Sequence, residues 1–102
     1  MIEQYHGNYQ FNEQVIKSNA PLLSGVYYCG HLNQNGSLNP DYIGRASGYG
    51  VSIRSRLIDH LNNYWTGVTH FGFYICSTPQ EAEQFEVAEI SKFNPRYNQR
   101  IG

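Results

Sequence analysis

The feature that most limits how this chain can fold is a pair of β-forming runs separated by turn chemistry. Residues 25–32 read GVYYCGHL and residues 41–45 read DYIGR. Between them lies Asn33–Asn39, NQNGSLN, in which Asn35-Gly36 is a strong hairpin signal. Pro40 precedes the second run, at a place where a strand can begin without an N–H. The two runs are expected to pair as an antiparallel hairpin with a long tip. Tyr27 and Tyr42 then lie on neighbouring strands with their phenols close together.

The remaining elements follow from capping and periodicity. Ala46–Gly50, ASGYG, is a flexible connector, and it lacks the G-K-[S/T] ending of a phosphate-cradling loop. Ser52 can cap a helix to about Trp65, whose inner face is Ile53, Leu57 and Leu61. Residues 69–76, THFGFYIC, read as a third strand. Thr78-Pro79-Gln80-Glu81 is a capping box with proline at the first helical position. The helix it opens is expected to stop near Asn94, before Pro95. Residues 1–23 read as an N-terminal extension, in which Phe11, Val15 and Ile16 can line a short helix ending at Asn19-Ala20-Pro21. The order β-β-α-β-α over residues 24–102 predicts an α+β domain, a three-stranded antiparallel β-sheet flanked by helices.

Composition narrows the function classes. The chain has 102 residues, 40% apolar and 15% charged, as expected of one modest globule. No apolar run reaches the length of a membrane span. The first ten residues, MIEQYHGNYQ, lack the basic and apolar regions of a signal peptide. Cys29 and Cys76 share no metal-type spacing and read as buried reduced thiols. These features point to the cytoplasm. The net charge of −1 argues mildly against a nucleic-acid binder. Every arginine, however, lies in residues 45–102, which carry a net +1, against −2 for residues 1–44.

Two carboxylates break the pattern of the last helix. Ala82, Phe85, Ile90 and Phe93 form its sheet-facing arc, and Glu86 and Glu89 fall within that arc. A carboxylate there is costly unless it is paired, reaches water at the rim, or holds a metal. The functional option is a hard oxygen ligand for a Mg²⁺-type cation. On the preceding helix, Arg56 and His60 are i,i+4 neighbours bordering the apolar stripe. They are either a solvated flank, or a cation and a proton-transfer group held beside the sheet.

These pieces resemble a known pattern. Gly25-Val26-Tyr27 and Tyr42-Ile43-Gly44 are similar to the two elements that name the GIY-YIG nucleases. Arg56 follows in a helix, with His60 four residues on, and Glu86 lies on the last helix. The ending Asn94-Pro95-Arg96-Tyr97-Asn98 resembles the family's Lys-Pro-X-Tyr-Asn. The likeness covers residues 24–98. It departs in Val26 for isoleucine, in a longer hairpin tip, in a longer connector at Ala46–Val51, and in Asn94 for lysine. The longer connector leaves Arg54 as the rival of Arg56, which we prefer because it places His60 at i+4.

The resemblance implies a metal-dependent endonuclease acting on DNA, with Mg²⁺ or Mn²⁺ as cofactor. It implies Tyr27 as general base or partner of the attacking water, and Tyr42 beside the scissile phosphate. It implies Arg56 as phosphate clamp, His60 in a slot where other members carry tyrosine, Glu86 as the single metal-binding carboxylate, and Asn98 as support. Arg45, Arg54 and Arg96 are the cations expected to face nucleic acid. A nearby cation favours a phenolate, so Tyr27 beside arginine and metal is expected to serve as base, with His60 taking or relaying the proton. The weak charge predicts that a second copy or a partner protein supplies target recognition. The alternative is a catalytically silent nucleic-acid-binding module of the same fold, which is expected to have lost some of these polar positions; here all are filled.

Overall fold

A computed structural model describes residues 1–98. Its elements are β1 (His6–Gln10), α1 (Glu13–Asn19), β2 (Gly25–Leu32), β3 (Leu38–Ala46), α2 (Ile53–His60), β4 (His70–Ile75) and α3 (Pro79–Phe93), with short 3-10 turns at Leu61–Asn63 and Arg96–Asn98. The hairpin is present as β2 and β3, paired antiparallel with Tyr27 opposite Gly44 and Cys29 opposite Tyr42.

The sheet has four strands, not the expected three, in the order β1-β4-β2-β3. The extra strand, HGNYQ, has no apolar alternation that marks it as a strand. It forms because the outer edge of β4 offers backbone partners, and because its rings find others there. His6 stacks on Phe73 at 5.2 Å and Tyr9 packs on Phe71 at 5.3 Å between centroids. The N-terminal segment as a whole joins the same core, with Ile16 and Ala20 buried among Tyr27, Leu57 and Phe71.

β2 is the central strand, and its alternation divides the core in two. Tyr27 and Cys29 point to the face covered by α1 and α2, with Ile53 and Leu57. Val26 and Tyr28 point to the face covered by α3, with Ile43 and Ala82. Both cysteines are free and buried. No helix among the described residues is long and apolar enough to cross a membrane.

α2 is shorter than expected. Ser52 caps it, sharing a reciprocal capping box with Ser55, but the helix ends at His60 instead of running to Trp65. Asn62 and Asn63 are weak helix formers, and Tyr64 takes a left-handed conformation at φ 53°. That reversal brings Trp65 back over the end of the helix. α3 starts as expected, with Thr78 accepting from the Glu81 N–H and Pro79 in its first turn. Phe93, expected to face the sheet, is 41% exposed at its far end.

Candidate active site

Two glycines let the hairpin and α2 approach each other. A side chain at Gly44 would place its Cβ 2.3 Å from the Tyr27 ring, so the ring lies directly over that residue. A Cβ at Gly25 would fall 2.0 Å from the Tyr74 carbonyl oxygen and 2.8 Å from Ile53, at the start of α2. The close packing aims the first turns of α2 across the tyrosine face. Arg56 and His60 therefore reach Tyr27 and Tyr42.

The contacts there are specific. His60 Nε2 lies 2.7 Å from the Tyr27 hydroxyl, and its Nδ1 lies 2.9 Å from the Asn63 amide. The Tyr42 ring lies 4.9 Å from His60 and 4.8 Å from Trp65. Trp65 also stacks on His60 at 4.8 Å and on Tyr97 at 5.5 Å. Tyr27 is fully buried, whereas Tyr42 is half-buried. Arg56 pairs with Asp59 at 3.6 Å, and its charge favours the ionised form of both phenols.

Electrostatics set the resting state of Tyr27. Burial holds its hydroxyl well above the ordinary phenol range, and the Tyr42 phenol adds to this. The Arg56 guanidinium offsets only part of the rise, so the phenol keeps its proton at neutral pH. Tyr42 is also raised, by burial first. His60 moves the other way. Burial, with Arg56 beside it, lowers the imidazole from 6.5 to about 4, so it is neutral at pH 7.

Glu86 reaches the same place from the opposite side of the sheet. β3 is an edge strand, so a side chain on α3 can approach Tyr42 around that edge. The Glu86 charge adds to the rise of the Tyr42 phenol, after burial. It lies 3.9 Å from Arg45, which also meets Glu83 at 3.4 Å. Asn98 guards the edge itself. Its amide oxygen accepts from the Ile43 N–H and its amide nitrogen donates to the Ile43 carbonyl, both at 2.8 Å. That two-point bond replaces a missing neighbouring strand and fixes the backbone between Tyr42 and Gly44.

Two of the cations expected to face nucleic acid make contacts within the chain. Arg54 donates to the Ala20 carbonyl at 2.8 Å, tying α2 to α1. Arg96 pairs with the buried Asp41 at 3.0 Å and donates to the Thr66 carbonyl at 2.6 Å. The sequence reading passed over Asp41, Asn63, Trp65 and Tyr97. Asp41 had a signal, as the only acid in the return strand. Trp65 had one as the only tryptophan.

Among the described residues no three His, Cys, Asp or Glu side chains converge as a metal cage. The donor set is one partly buried carboxylate at a phenol-lined edge. That fits a hydrated Mg²⁺-type ion, which takes one or two protein carboxylates and fills its shell with water and substrate phosphate.

No protein-family model matches the sequence. The chain is similar to the UvrABC system protein C of Mycoplasmopsis agalactiae, 33% identical over 97 residues, which cover 85% of this chain and 16% of that protein. Three solved point-mutant forms of the GIY-YIG N-terminal endonuclease domain of UvrC from Thermotoga maritima, each bound to its catalytic divalent cation, share its fold. They superpose with TM-scores of 0.65, 0.63 and 0.63 at 24%, 25% and 26% identity, covering 83% of this chain and 96% of theirs. In sequence and in fold the chain is similar to these UvrC proteins, which is consistent with a GIY-YIG endonuclease domain. It spans 16% of the length of the curated relative it matches.

Proposed function

We propose that this chain is a metal-dependent endonuclease that hydrolyses DNA phosphodiester bonds with one divalent ion, Mg²⁺ or Mn²⁺, held by Glu86. The observation that carries the reading is the meeting of Tyr27, Tyr42, Arg56 and His60 on one hairpin face, with Glu86 3.9 Å from Arg45 of β3.

The residues divide the work by exposure and charge. Tyr42, half-buried, meets the scissile phosphate. Arg56 holds the phosphate oxygens as charge builds on them, in a planar fork that lysine cannot copy. The attacking water passes its proton to the Tyr27 oxygen while Tyr27 passes its own to His60 Nε2. Neither phenol need ionise beforehand, which suits their raised pKa values. The relay needs the His60 hydrogen on Nδ1, which the Asn63 amide oxygen can accept when it faces the ring. The bound ion would polarise the phosphate and stabilise the leaving oxygen. The water oxygen bonds to phosphorus, the bond to the 3′ oxygen breaks, and 5′-phosphate and 3′-hydroxyl ends result. With Arg54 and Arg96 engaged inside the chain, target choice falls to a partner protein or a second copy.

The test uses supercoiled plasmid with Mg²⁺, with Mn²⁺ and with EDTA, beside Glu86→Ala and Arg56→Ala. Metal-dependent nicking or linearisation is expected, reduced about 100-fold or more in either variant. Undiminished cutting by a folded Glu86→Ala protein overturns the metal assignment. No cutting by the parent under any condition overturns the catalytic reading and favours a silent binding module.

A further inference from the structure

Glu89 is the second carboxylate on the apolar arc of α3, and the catalytic reading leaves it unused. It faces a cavity of about 210 Å³ under α3, on the other side of the sheet from Tyr27 and His60. Three tyrosines form one wall. Tyr5, Tyr28 and Tyr74 stand with centroids 5.2 to 6.0 Å apart and planes inclined at 54° to 79°. Tyr28 donates to Glu89 at 2.6 Å, and Tyr5 to the Asn8 side-chain oxygen at 2.5 Å. Among the described residues no cation lies within salt-bridge distance of Glu89. Leu38 and the exposed Phe93 supply apolar surface at the rim.

Electron-rich ring faces gathered around a carboxylate attract a cation, and the attraction grows as the cation is desolvated. We propose that this cavity is a binding site for a cationic head on an aliphatic stem, taking a lysine or arginine side chain of a partner protein. The head meets Glu89 and the tyrosines, and the stem lies along Leu38 and Phe93. The volume is sufficient for one such side chain. The rim already shows the chemistry, because Lys92 Nζ rests 5.0 Å from the Phe93 centroid. Burial and the neighbouring Glu89 keep Tyr28 and Tyr74 protonated.

The test titrates N-acetyl-lysine and N-acetyl-arginine methylamides into the full chain and follows the tyrosine ring protons by NMR. N-acetyl-norleucine methylamide serves as the neutral control, and cadaverine and agmatine as free amines. Saturable shifts of Tyr5, Tyr28 and Tyr74 are expected with the blocked cationic residues and not with norleucine. Glu89→Gln keeps an acceptor for Tyr28 and is expected to weaken binding at least fivefold while leaving plasmid cutting unchanged. Tyr74→Leu is expected to weaken it similarly. Equal binding of norleucine, or undiminished binding by Glu89→Gln, overturns the cation site. Binding of the free amines alone overturns the assignment to a protein side chain.

Discussion

His60 ties catalysis to acid stability. An unfolded chain protonates this imidazole near 6.5, whereas the folded chain does so only near 4. Between those values the unfolded state binds more protons, so stability is full above about pH 6.5 and declines as the pH falls toward 4. The loss can reach about 3 kcal/mol. Urea unfolding at pH 7 and pH 4.5 checks this, and His60→Gln is expected to flatten the difference. Asn63 sets which imidazole nitrogen carries the hydrogen. Asn63→Asp can only accept from Nδ1, so it is expected to keep cutting near the parent level and to raise the His60 pKa. Asn63→Leu is expected to slow cutting. An NMR titration of His60 separates a tautomer effect from mere loosening. Gly44→Ala drives a methyl into the Tyr27 ring and is expected to destabilise by about 1–3 kcal/mol, read from the melting temperature.

At the scale of elements, β3 depends on the turn after α3. Asn98→Ala leaves the Ile43 N–H and carbonyl without their partner, at a cost of about 1–3 kcal/mol each if they stay dry. The Ile43 amide is expected to exchange its hydrogen faster in that variant while the β2–β4 amides hold. Unchanged exchange at Ile43 sinks the view of Asn98 as an edge clamp. β1 acts at the opposite edge. Its rings cover Phe71 and Phe73, so deleting residues 1–10 is expected to lower stability and expose the outer edge of β4. The hairpin and α2 are the working unit; β1 covers the β4 edge of the sheet and the 3-10 turn at Arg96–Asn98 covers the β3 edge.

For the whole molecule, charge limits how nucleic acid can be held. Arg54 and Arg96 hold α1 and Asp41, which among the described residues leaves Arg45 and Arg56 as the cations nearest the site. Both have acidic neighbours of their own. Duplex binding by the chain alone is therefore expected to be weak, with log K falling against log salt at a slope of about −2. Binding measured from 50 to 200 mM salt with the Glu86→Ala variant tests this, and a much steeper slope points to cations recruited from a second copy.

The hairpin, both helix starts and the closeness of Tyr27 to Tyr42 were legible in the sequence because local chemistry specifies them. Asn35-Gly36 sets a turn, Ser52 and Thr78 cap helices, and spacing along a helix places Arg56 beside His60. Even the carboxylates showed themselves, since charge on an apolar arc is a local contradiction. Four matters were decided only by the tertiary structure. β1 has no periodicity of its own and exists because β4 has a free edge. α2 stops at His60 because a left-handed Tyr64 lets Trp65 pack on Tyr42. Arg54 and Arg96 look like Arg56 in a sequence, but their fates depend on which carbonyl or carboxylate the fold puts within reach. Tyr27 looks like a base beside a cation, yet the core encloses it, and desolvation outweighs one guanidinium. Short-range rules fix where an element starts and what it carries; burial and pairing between distant segments fix what each charge can do.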